Sequence, residues 1–445
     1  MPPAPVSKSV ENGMPTRDTK APLGSGHFSQ VKSTTQKSQV VIVGGGFGGL
    51  AAARQLTDSH FEVVVIDRCN HHLFQPLLYQ VATADLSPAD IAWPIRNLLA
   101  RHENISVVLD EVVDIDASAR RVRCRDGSFD FDYLIVASGA ATGYFGQNSW
   151  SELAPGLKTL RDATSLRTHI LTAFERAERC SDPDLRRRLL NFVVIGGGPT
   201  GVEIAGALAE LAKAALVRDF RQIDPGDARI ILVEAGEKLL NGFPSSLSDY
   251  AERALRGLGV EVLKQHRVVA LEPGTVQLEA QTIEAETTIW AAGVEVQGPK
   301  SWLGADADRS GRIHVAPDLS LPEHPHIFVV GDAARVLWRG NELVPGIAPA
   351  AKQQGRYVGK LIRAREQNKT MPAFAYRHAG NLATIGRHRA VVDLGRFKLK
   401  GALAWWFWGL LHIYFLIDAR SATTVLLQWF WTYLTRKKGA RLITE

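Results

Sequence analysis

The sequence predicts an α/β fold with two Rossmann-like units and a helical C-terminal region. Three observations lead to this prediction. Two β-branched runs, 40–43 and 192–195, each lead into a glycine-rich turn. Each turn is followed by a helix-forming stretch. The end of the chain, from residue 402, is rich in tryptophan and other apolar residues. At 445 residues the chain is long enough for two or three domains with full cores.

The first glycine turn has the spacing of a dinucleotide-binding fingerprint. Gly44 permits the tight turn, Gly46 lets the backbone approach a pyrophosphate, and Gly49 allows the helix to pack closely on the strand. The free N–H groups at the start of the helix attract phosphate. Asp67 ends the next predicted strand, 61–66, where an acid accepts hydrogen bonds from a ribose. A surface acid facing water is the alternative.

The second glycine turn repeats this pattern at Gly196, Gly198 and Gly201. Its acidic partner is Glu234, at the end of the predicted strand 229–233. Because a carboxylate repels a 2′-phosphate, Glu234 predicts a preference for NADH over NADPH. Two sites of this kind in one chain indicate two nucleotides held face to face, as hydride transfer between them requires.

Three further β-type runs also end at small residues. The candidate nucleotide contacts at these ends are Ser138, Gly139, Gly293, Asp332 and Ala333. Asp332 follows the run 326–330 and is placed to hold the ribityl or pyrophosphate part of a flavin. We expect a helix to begin at this point, with its N-terminus facing the nucleotide. The first nucleotide domain is therefore expected to be discontinuous, with the second inserted into it.

Composition and charge exclude several classes of protein. A net charge of +6 is too modest to indicate nucleic-acid binding. Cys69, Cys124 and Cys180 form neither a C-x-x-C pair nor a set with metal-ligand spacing, so we expect no metal site. Disulfide reductases and sulfide-oxidising flavoproteins need paired cysteines beside the flavin, and this sequence has no such pair, which argues against both classes. Residues 1–38 lack the apolar core of a secretory signal and are expected to be disordered.

The C-terminal segment has two parts. Residues 402–417 are apolar except for His412, and this run is shorter than the ~20 apolar residues that span a bilayer. The next part predicts an amphipathic helix that ends in the basic run 436–438. Its polar stripe consists of Ser421, Thr424, Gln428, Thr432 and Thr435. A Trp-rich helix of this kind is typical of attachment to a membrane surface. The alternatives are packing on the protein itself or on a dimer partner, and a transmembrane hairpin.

Dispersed motifs add a resemblance to a known family. Beside the two glycine turns and Gly331-Asp332, these motifs are the segments 70–79 (NHHLFQPLLY), 348–354 (APAAKQQ) and 385–387 (IGR). With them, the chain resembles the flavoproteins with two dinucleotide-binding domains, and among these the type II NADH:quinone oxidoreductases. The resemblance implies non-covalently bound FAD in the first domain, NADH in the second, and a homodimer.

The glycine turns and the resemblance together predict five segments. They are a disordered tail (1–38), the first part of the FAD domain (39–155), the NADH domain (156–295), the second part of the FAD domain (296–375) and a membrane-association region (376–445). Of the candidate contacts at strand ends, Gly293 falls in the NADH domain and the others fall in the FAD domain.

The resemblance also implies a reaction: hydride passes from NADH to FAD, and two electrons then pass to a membrane quinone. Gln353 and Gln354 match glutamines near the flavin and the quinone, whereas Pro349 departs from the glutamine found in many members. Glu203 matches a carboxylate near the nicotinamide and the quinone route. The alternative for Glu203 is an acid at the start of a helix, stabilised by the helix dipole.

No predicted segment spans the membrane, so electron transfer is expected without proton pumping, in a peripheral protein on the cytoplasmic face of the inner membrane. Two other functions stay open. One is a soluble ferredoxin or rubredoxin reductase, against which the Trp-rich tail argues. The other is a membrane-docked, flavin-bearing NADH sensor without steady turnover. His71 and His72 are interpreted as residues that make structural hydrogen bonds.

Overall fold

The computed structural model describes residues 37–57, 60–340, 342–416, 419–435 and 439–443. The predicted disordered tail lies outside the described residues except for Lys37 and Ser38, and Ser38 begins a strand. The basic run 436–438 also lies outside them.

The first large sheet is parallel throughout, as expected for β-branched runs that are covered on both faces. Its strands lie in the order Ile327–Val329, Tyr133–Val136, Ser38–Val43, Phe61–Asp67 and Ile105–Leu109. The strand that follows residue 326 therefore completes a sheet whose other strands all lie before residue 137. The prediction of a discontinuous first nucleotide domain is confirmed.

The second large sheet is also parallel and is built entirely from the intervening part of the chain. Its strands lie in the order Val260–Lys264, Arg229–Glu234, Asn191–Ile195 and Thr287–Trp290. Each sheet carries its glycine turn at the carboxyl end of a central strand, which is where open α/β sheets bind nucleotides. The predicted fold class, with one Rossmann-like unit inserted into another, is confirmed.

The helices that follow the two glycine turns are Phe47–Ala53 and Pro199–Glu210. Their packing on the strands is the same in both units. A Cβ atom on Gly49 would lie 1.8 Å from the carbonyl oxygen of Gly44, and one on Gly201 would lie 1.8 Å from that of Gly196. Any side chain at these two positions would push the helix away from its turn, which is the reason for the third glycine of each fingerprint.

The prediction of a helix beginning at Asp332 is wrong. A single 3₁₀ turn, Gly331–Ala333, is followed at once by the short strand Ala334–Arg335. The long helix of this region is Ala348–Glu366, and it begins with Pro349 in its first turn. The physical reason is a tertiary contact: directly after the turn the backbone pairs as a strand, Ala334–Arg335, with Ile313–His314.

The other elements connect and cover the two sheets. The remaining helices before the tail are Leu78–Ala82, Pro88–Ile91, Ile95–Leu99, Trp150–Leu153, Leu160–Arg179, Pro183–Leu189, Ser245–Gly257 and Pro299–Leu303, with 3₁₀ turns at Gln75–Leu77 and Pro225–Asp227 and a π-helical turn at Leu211–Ala215. Three antiparallel sheets each have three strands: Val112–Asp116, Arg121–Cys124 and Ser128–Asp130; Val268–Glu272, Thr275–Leu278 and Thr282–Glu284; Asn381–Thr384, Ala390–Asp393 and Lys398–Gly401. Paired short strands are His71–Leu73 with Ala92–Pro94, Ala141–Thr142 with Val294–Glu295, Ile313–His314 with Ala334–Arg335, and Leu337–Trp338 with Glu342–Leu343.

Two helices form the described part of the tail, Ala402–Phe415 and Ala419–Thr435. They meet through Trp408 and Trp429, whose ring centroids lie 5.5 Å apart. Ala404, Trp408 and Val425 are buried. Among the described residues, no helix combines the length and apolarity that crossing a membrane requires.

The tail also presents an apolar surface to the outside. Its exposed large apolar residues are Leu403, Trp406, Leu410, Tyr414, Phe415, Leu426, Leu427, Phe430 and Trp431. In the polar stripe predicted for the last helix, Thr424 and Gln428 are partly buried, and the Oε1 atom of Gln428 is enclosed, whereas Leu426, Leu427 and Phe430 are exposed. The helix therefore turns an apolar face outward, which a soluble surface helix does not do.

Candidate functional site

The two glycine turns hold their acidic partners in the same way. The N–H of Gly45 donates to Asp67 Oδ2 at 2.6 Å, and the N–H of Gly197 donates to Glu234 Oε2 at 2.6 Å. The other carboxylate oxygen accepts from the backbone two residues further on, from Cys69 at 2.7 Å and from Gly236 at 2.6 Å. Each predicted ribose-binding acid is thus fixed beside its glycine turn. Burial raises the pKa of Asp67, although its hydrogen bonds from Cys69 and Gly45 oppose that shift.

The backbone of both turns borders open space. A Cβ added to Gly46 or Gly198 would meet no atom within 4 Å. These are the positions at which the fingerprint brings the backbone against a pyrophosphate. The open space and the free N–H groups at two helix starts fit the two dinucleotides that the sequence predicts.

The remaining predicted FAD contacts converge on the first turn. Ala137 N donates to Val43 O at 2.7 Å, and Val330 N donates to Val136 O at 2.9 Å, so the three strand ends lie side by side. Ser138 and Gly139 follow the middle strand, and Asp332 and Ala333 follow the outer one. Gly293 lies instead near the second turn, two residues after Ala291, whose N–H donates to Ile195 O at 2.7 Å.

The two predicted glutamines of the quinone segment have different environments. Gln354 is buried, and its Oε1 accepts from the N–H of Gly331 at 2.5 Å. Gln353 makes a double contact with the backbone of Arg377, donating to its carbonyl at 2.8 Å and accepting from its N–H at 3.0 Å. Both glutamines therefore tie the helix Ala348–Glu366 to neighbouring loops, and their role toward quinone stays a prediction.

Glu203 lies in the first turns of the second fingerprint helix, next to the strand Asn381–Thr384. Its Oε1 atom accepts from the N–H of Thr384 at 3.4 Å. Burial raises the pKa of Glu203 to about 8, and the hydrogen bond from Thr384 only partly opposes that shift. A carboxyl of this kind holds a proton near neutral pH, which favours proton handling over the alternative of a helix-start anion.

Sequence reasoning gave no individual role to the residues around Glu203. Tyr79 and Thr384 share a hydrogen bond of 2.9 Å between their hydroxyl oxygens. Gln80 Nε2 donates to the Tyr79 hydroxyl at 3.0 Å, and Trp429 Nε1 donates to Gln80 Oε1 at 2.9 Å. These residues are far apart in the chain, so a single sequence carries no signal that joins them.

Lys352 is a further residue to which the sequence analysis gave no individual role. Its ammonium lies 5.1 Å from the ring centroid of Phe47 and 5.3 Å from that of Phe415. Burial, together with the smaller effect of the positive charges of Arg356 and Arg54, lowers the pKa of Lys352 to about 8. A cation thus lies between the first fingerprint helix and the tail.

His72 makes the structural hydrogen bond expected from the sequence. Its Nδ1 lies 3.0 Å from the carbonyl oxygen of Gly45. Burial lowers the pKa of His72 to about 4, so the ring is neutral and Nδ1 donates to that carbonyl. His412 is similar, with a pKa lowered to about 4 by burial and its Nδ1 2.8 Å from Trp408 O. Neither ring is set up for acid–base chemistry near pH 7.

The three cysteines lie on separate elements as free thiols: Cys69 after a strand of the first sheet, Cys124 in an antiparallel strand and Cys180 after a helix. The redox-active disulfide of a disulfide reductase therefore has no counterpart here. In the part of the chain that the structure describes, no cluster of His, Cys, Asp or Glu is suited to a metal ion.

Paired nucleotide turns, an inserted second unit and the absence of a cysteine pair define a two-dinucleotide flavoprotein oxidoreductase that does not work through a disulfide. The family model described as pyridine nucleotide-disulphide oxidoreductase matches residues 38–355. The model described as NDH2 C-terminal domain matches residues 378–438.

Similar proteins narrow the assignment. The chain is 41% identical to the type II NADH:quinone oxidoreductase Ndh of Mycobacterium tuberculosis, over 92% of this chain and 91% of that protein. The structure of NDH2 from Plasmodium falciparum in complex with NADH superposes with a TM-score of 0.84 at 21% identity, covering 92% of this chain and 100% of that one. The sulfide:quinone oxidoreductase of Aquifex aeolicus shares the fold, with a TM-score of 0.70 at 20% identity, covering 86% of this chain and 92% of that one. The chain belongs to the type II NADH:quinone oxidoreductase family, and the resemblance seen in its sequence is confirmed.

Proposed function

We infer that this protein oxidises NADH through FAD and passes two electrons to a quinone. The observation that carries this function is the duplicated glycine turn, each copy with an acid fixed to it at 2.6 Å, in a chain 41% identical to a type II NADH:quinone oxidoreductase. When bound, FAD supplies the redox chemistry, accepting hydride from NADH and returning two electrons to quinone, which takes up two protons.

The first turn is proposed to bind FAD and the second to bind NADH. On this assignment Gly46 and Gly198 lie against the two pyrophosphates, and Asp67 and Glu234 accept hydrogen bonds from the two riboses. Because Glu234 carries negative charge next to the turn, it disfavours the extra phosphate of NADPH. The chain's contribution to hydride transfer is therefore orientation and selection of the nucleotide.

Glu203 is proposed to hold a proton for the reduction of quinone. Its pKa of about 8 keeps it mainly protonated at neutral pH and allows release as the quinone gains negative charge. Gln353 and Gln354 stay candidates for the quinone side because they anchor the helix that touches both Gly331 and the first fingerprint helix.

The tail is proposed to attach the protein to a membrane surface without crossing it. Its outward residues, among them Leu410, Tyr414, Leu427 and Phe430, form an apolar face that suits the boundary between lipid headgroups and acyl chains. Attachment to the cytoplasmic face of the inner membrane and a homodimer complete this proposal, and a partner subunit would cover part of the same face.

Turnover with different electron acceptors tests this function. The FAD-loaded protein is mixed with NADH and a short-chain ubiquinone, a ferredoxin, a rubredoxin or no acceptor, and NADH oxidation is followed. Quinone-dependent turnover supports the proposal. Turnover only with the protein acceptors would favour the soluble reductase, and flavin reduction without turnover on any acceptor would favour the sensor.

A further inference from the structure

A chain of buried hydrogen bonds joins the C-terminal helix to the surroundings of Glu203. It begins at the Trp429 indole, passes through the Gln80 amide and the Tyr79 hydroxyl, and ends at Thr384, with successive distances of 2.9, 3.0 and 2.9 Å. The backbone N–H of Thr384 then donates to Glu203. Four elements distant in sequence are connected in this way.

The directions of these hydrogen bonds follow from the groups involved. An indole N–H only donates, so Trp429 requires the carbonyl oxygen of the Gln80 amide and fixes which way that amide points. The NH₂ group of Gln80 is thereby turned toward Tyr79. Tyr79 accepts this bond, and its hydroxyl also shares a hydrogen bond with the hydroxyl of Thr384, in which either oxygen can be the donor. The orientation of the Gln80 amide, and with it the hydrogen bond from Gln80 to Tyr79, therefore depends on Trp429.

Burial makes the loss of any one of these bonds costly. The exposed fractions of Tyr79, Gln80 and Thr384 are 7%, 7% and 3%. A buried donor or acceptor that loses its partner keeps its full desolvation penalty. This series of hydrogen bonds is therefore stable only when all of its side chains are in place. The Trp429 ring packs at a tilt against Trp408 of the preceding helix, and this contact helps to hold it in place.

The strand that ends at Thr384 covers one side of Glu203, which is partly buried. The turn after it lies directly on the second fingerprint helix, since a Cβ on Gly206 would be 2.7 Å from the N atom of Gly386. The titratable groups around Tyr79 are Glu203 on that helix and Asp85 in the loop after Tyr79's own helix. Both acids raise the pKa of Tyr79 in addition to the larger effect of burial, so Tyr79 stays protonated and able to donate a hydrogen bond.

We propose that Tyr79, Gln80 and Trp429 are positioning residues for the reaction with quinone: they transmit the seating of the C-terminal helix to the strand end that encloses Glu203. The inference rests on the proposed role of Glu203 as a proton-holding group. When Trp429 is seated, the strand end stays packed against Glu203, which holds its proton. When it is not, the strand end loosens, more water reaches Glu203, and its proton is lost at a lower pH.

The test uses the FAD-loaded full chain and separates the two half-reactions by stopped-flow absorbance of the flavin. Trp429→Phe removes the indole N–H and keeps an aromatic ring. Gln80→Met keeps the volume and removes both polar groups. Trp302→Phe makes the same change as the first variant at a partly buried tryptophan on the separate helix Pro299–Leu303 and serves as the control. Flavin content and circular dichroism establish that each variant is folded.

The pH midpoint of flavin reoxidation by quinone is the deciding measurement. We expect Trp429→Phe and Gln80→Met to move it downward by about one pH unit, with the rate of reduction by NADH within twofold of the unaltered protein. The control should leave the midpoint in place. A folded Trp429→Phe or Gln80→Met variant that turns over more slowly with an unchanged midpoint would overturn the proposal, because a purely structural role predicts that result.

Failure of the underlying function gives different results. If the unaltered protein is not reoxidised by quinone at any pH, the dehydrogenase function itself is wrong. If it is reoxidised but Glu203→Gln keeps the same midpoint, Glu203 is not the group that titrates, and the proposal fails at that step.

Discussion

Replacing Glu203 by glutamine should make the protein more stable at neutral pH while impairing its reaction with quinone. The folded protein raises the pKa of this carboxyl from 4.5 to about 8. Between these values the unfolded chain releases a proton that the folded chain keeps, so the stability of the unaltered protein falls as the pH rises. A glutamine is neutral in both states, accepts the same bond from Thr384 and escapes this loss.

The size of the effect follows from about 1.4 kcal/mol for each unit of pKa difference. The variant should gain nothing below pH 4.5, about 3 kcal/mol at pH 7 and about 5 kcal/mol at pH 8, beyond which the gain is constant. For a chain of this length 1 kcal/mol corresponds to roughly 1 °C in Tm. The Tm of the variant should therefore exceed that of the unaltered protein by roughly 3 °C at pH 7 and 5 °C at pH 8.

Thermal unfolding followed by circular dichroism from pH 5 to pH 8 measures this difference. Glu175→Gln, at an exposed position of helix Leu160–Arg179, is the control and should show no pH-dependent gain. A Tm difference that is constant over this range, or one that decreases toward pH 8, would refute the raised pKa of Glu203 and the proton-holding role derived from it.

Three further predictions concern the nucleotide and membrane sites. Glu234→Gln should lower the preference for NADH over NADPH about tenfold in kcat/KM, or ~1.4 kcal/mol; equal values for both nucleotides in the unaltered protein would contradict the role of Glu234. Gly198→Ala should raise the KM for NADH about tenfold with flavin content unchanged, whereas Gly127→Ala, equally open but outside the site, should leave the KM unchanged. Leu427→Glu should weaken vesicle binding about thirtyfold in a sedimentation assay, since a buried leucine side chain contributes about 2 kcal/mol, and Val113→Glu in an exposed strand should not weaken it. Unchanged binding of the Leu427 variant would remove this face from the membrane site.

The features that local sequence determines were predicted correctly. Each glycine turn can be recognised from about a dozen residues of sequence, because strand, turn and helix follow one another directly. The third glycine is required because the close approach of Gly49 to Gly44 leaves no room for a side chain. The positions of Asp67 and Glu234 at strand ends follow from the same regularity. The return of strand Ile327–Val329 to the first sheet was foreseen because Gly331-Asp332 repeats the kind of ending seen in the first unit.

The features that depend on tertiary packing were missed or predicted wrongly. The expected helix at Asp332 is replaced by the strand Ala334–Arg335, which pairs with the distant strand Ile313–His314. The sequence predicted the polar stripe of the last helix but not the side that it faces, and Gln428 turns its oxygen inward. A periodic pattern defines the faces of a helix but not which face meets the protein.

The surroundings of Glu203 show the same limit. Tyr79 lies in a motif that the sequence resemblance singled out, and Trp429 lies in a segment interpreted as a membrane-attachment helix, with packing on the protein itself as an alternative. The hydrogen bonds that join them through Gln80 span 349 residues of chain. Such a contact depends on how the tail folds back over the two nucleotide domains, and no spacing rule within a single sequence records it.

Two-step mixing under anaerobic conditions tests the central claim most directly. The FAD-loaded protein is mixed with one equivalent of NADH and then with a short-chain ubiquinone, while the visible flavin absorbance is recorded. We expect NADH to bleach the flavin band and quinone to restore it at a rate that supports steady turnover. Bleaching without restoration by quinone, or a purified protein without a flavin band, would contradict the assignment of an NADH:quinone oxidoreductase.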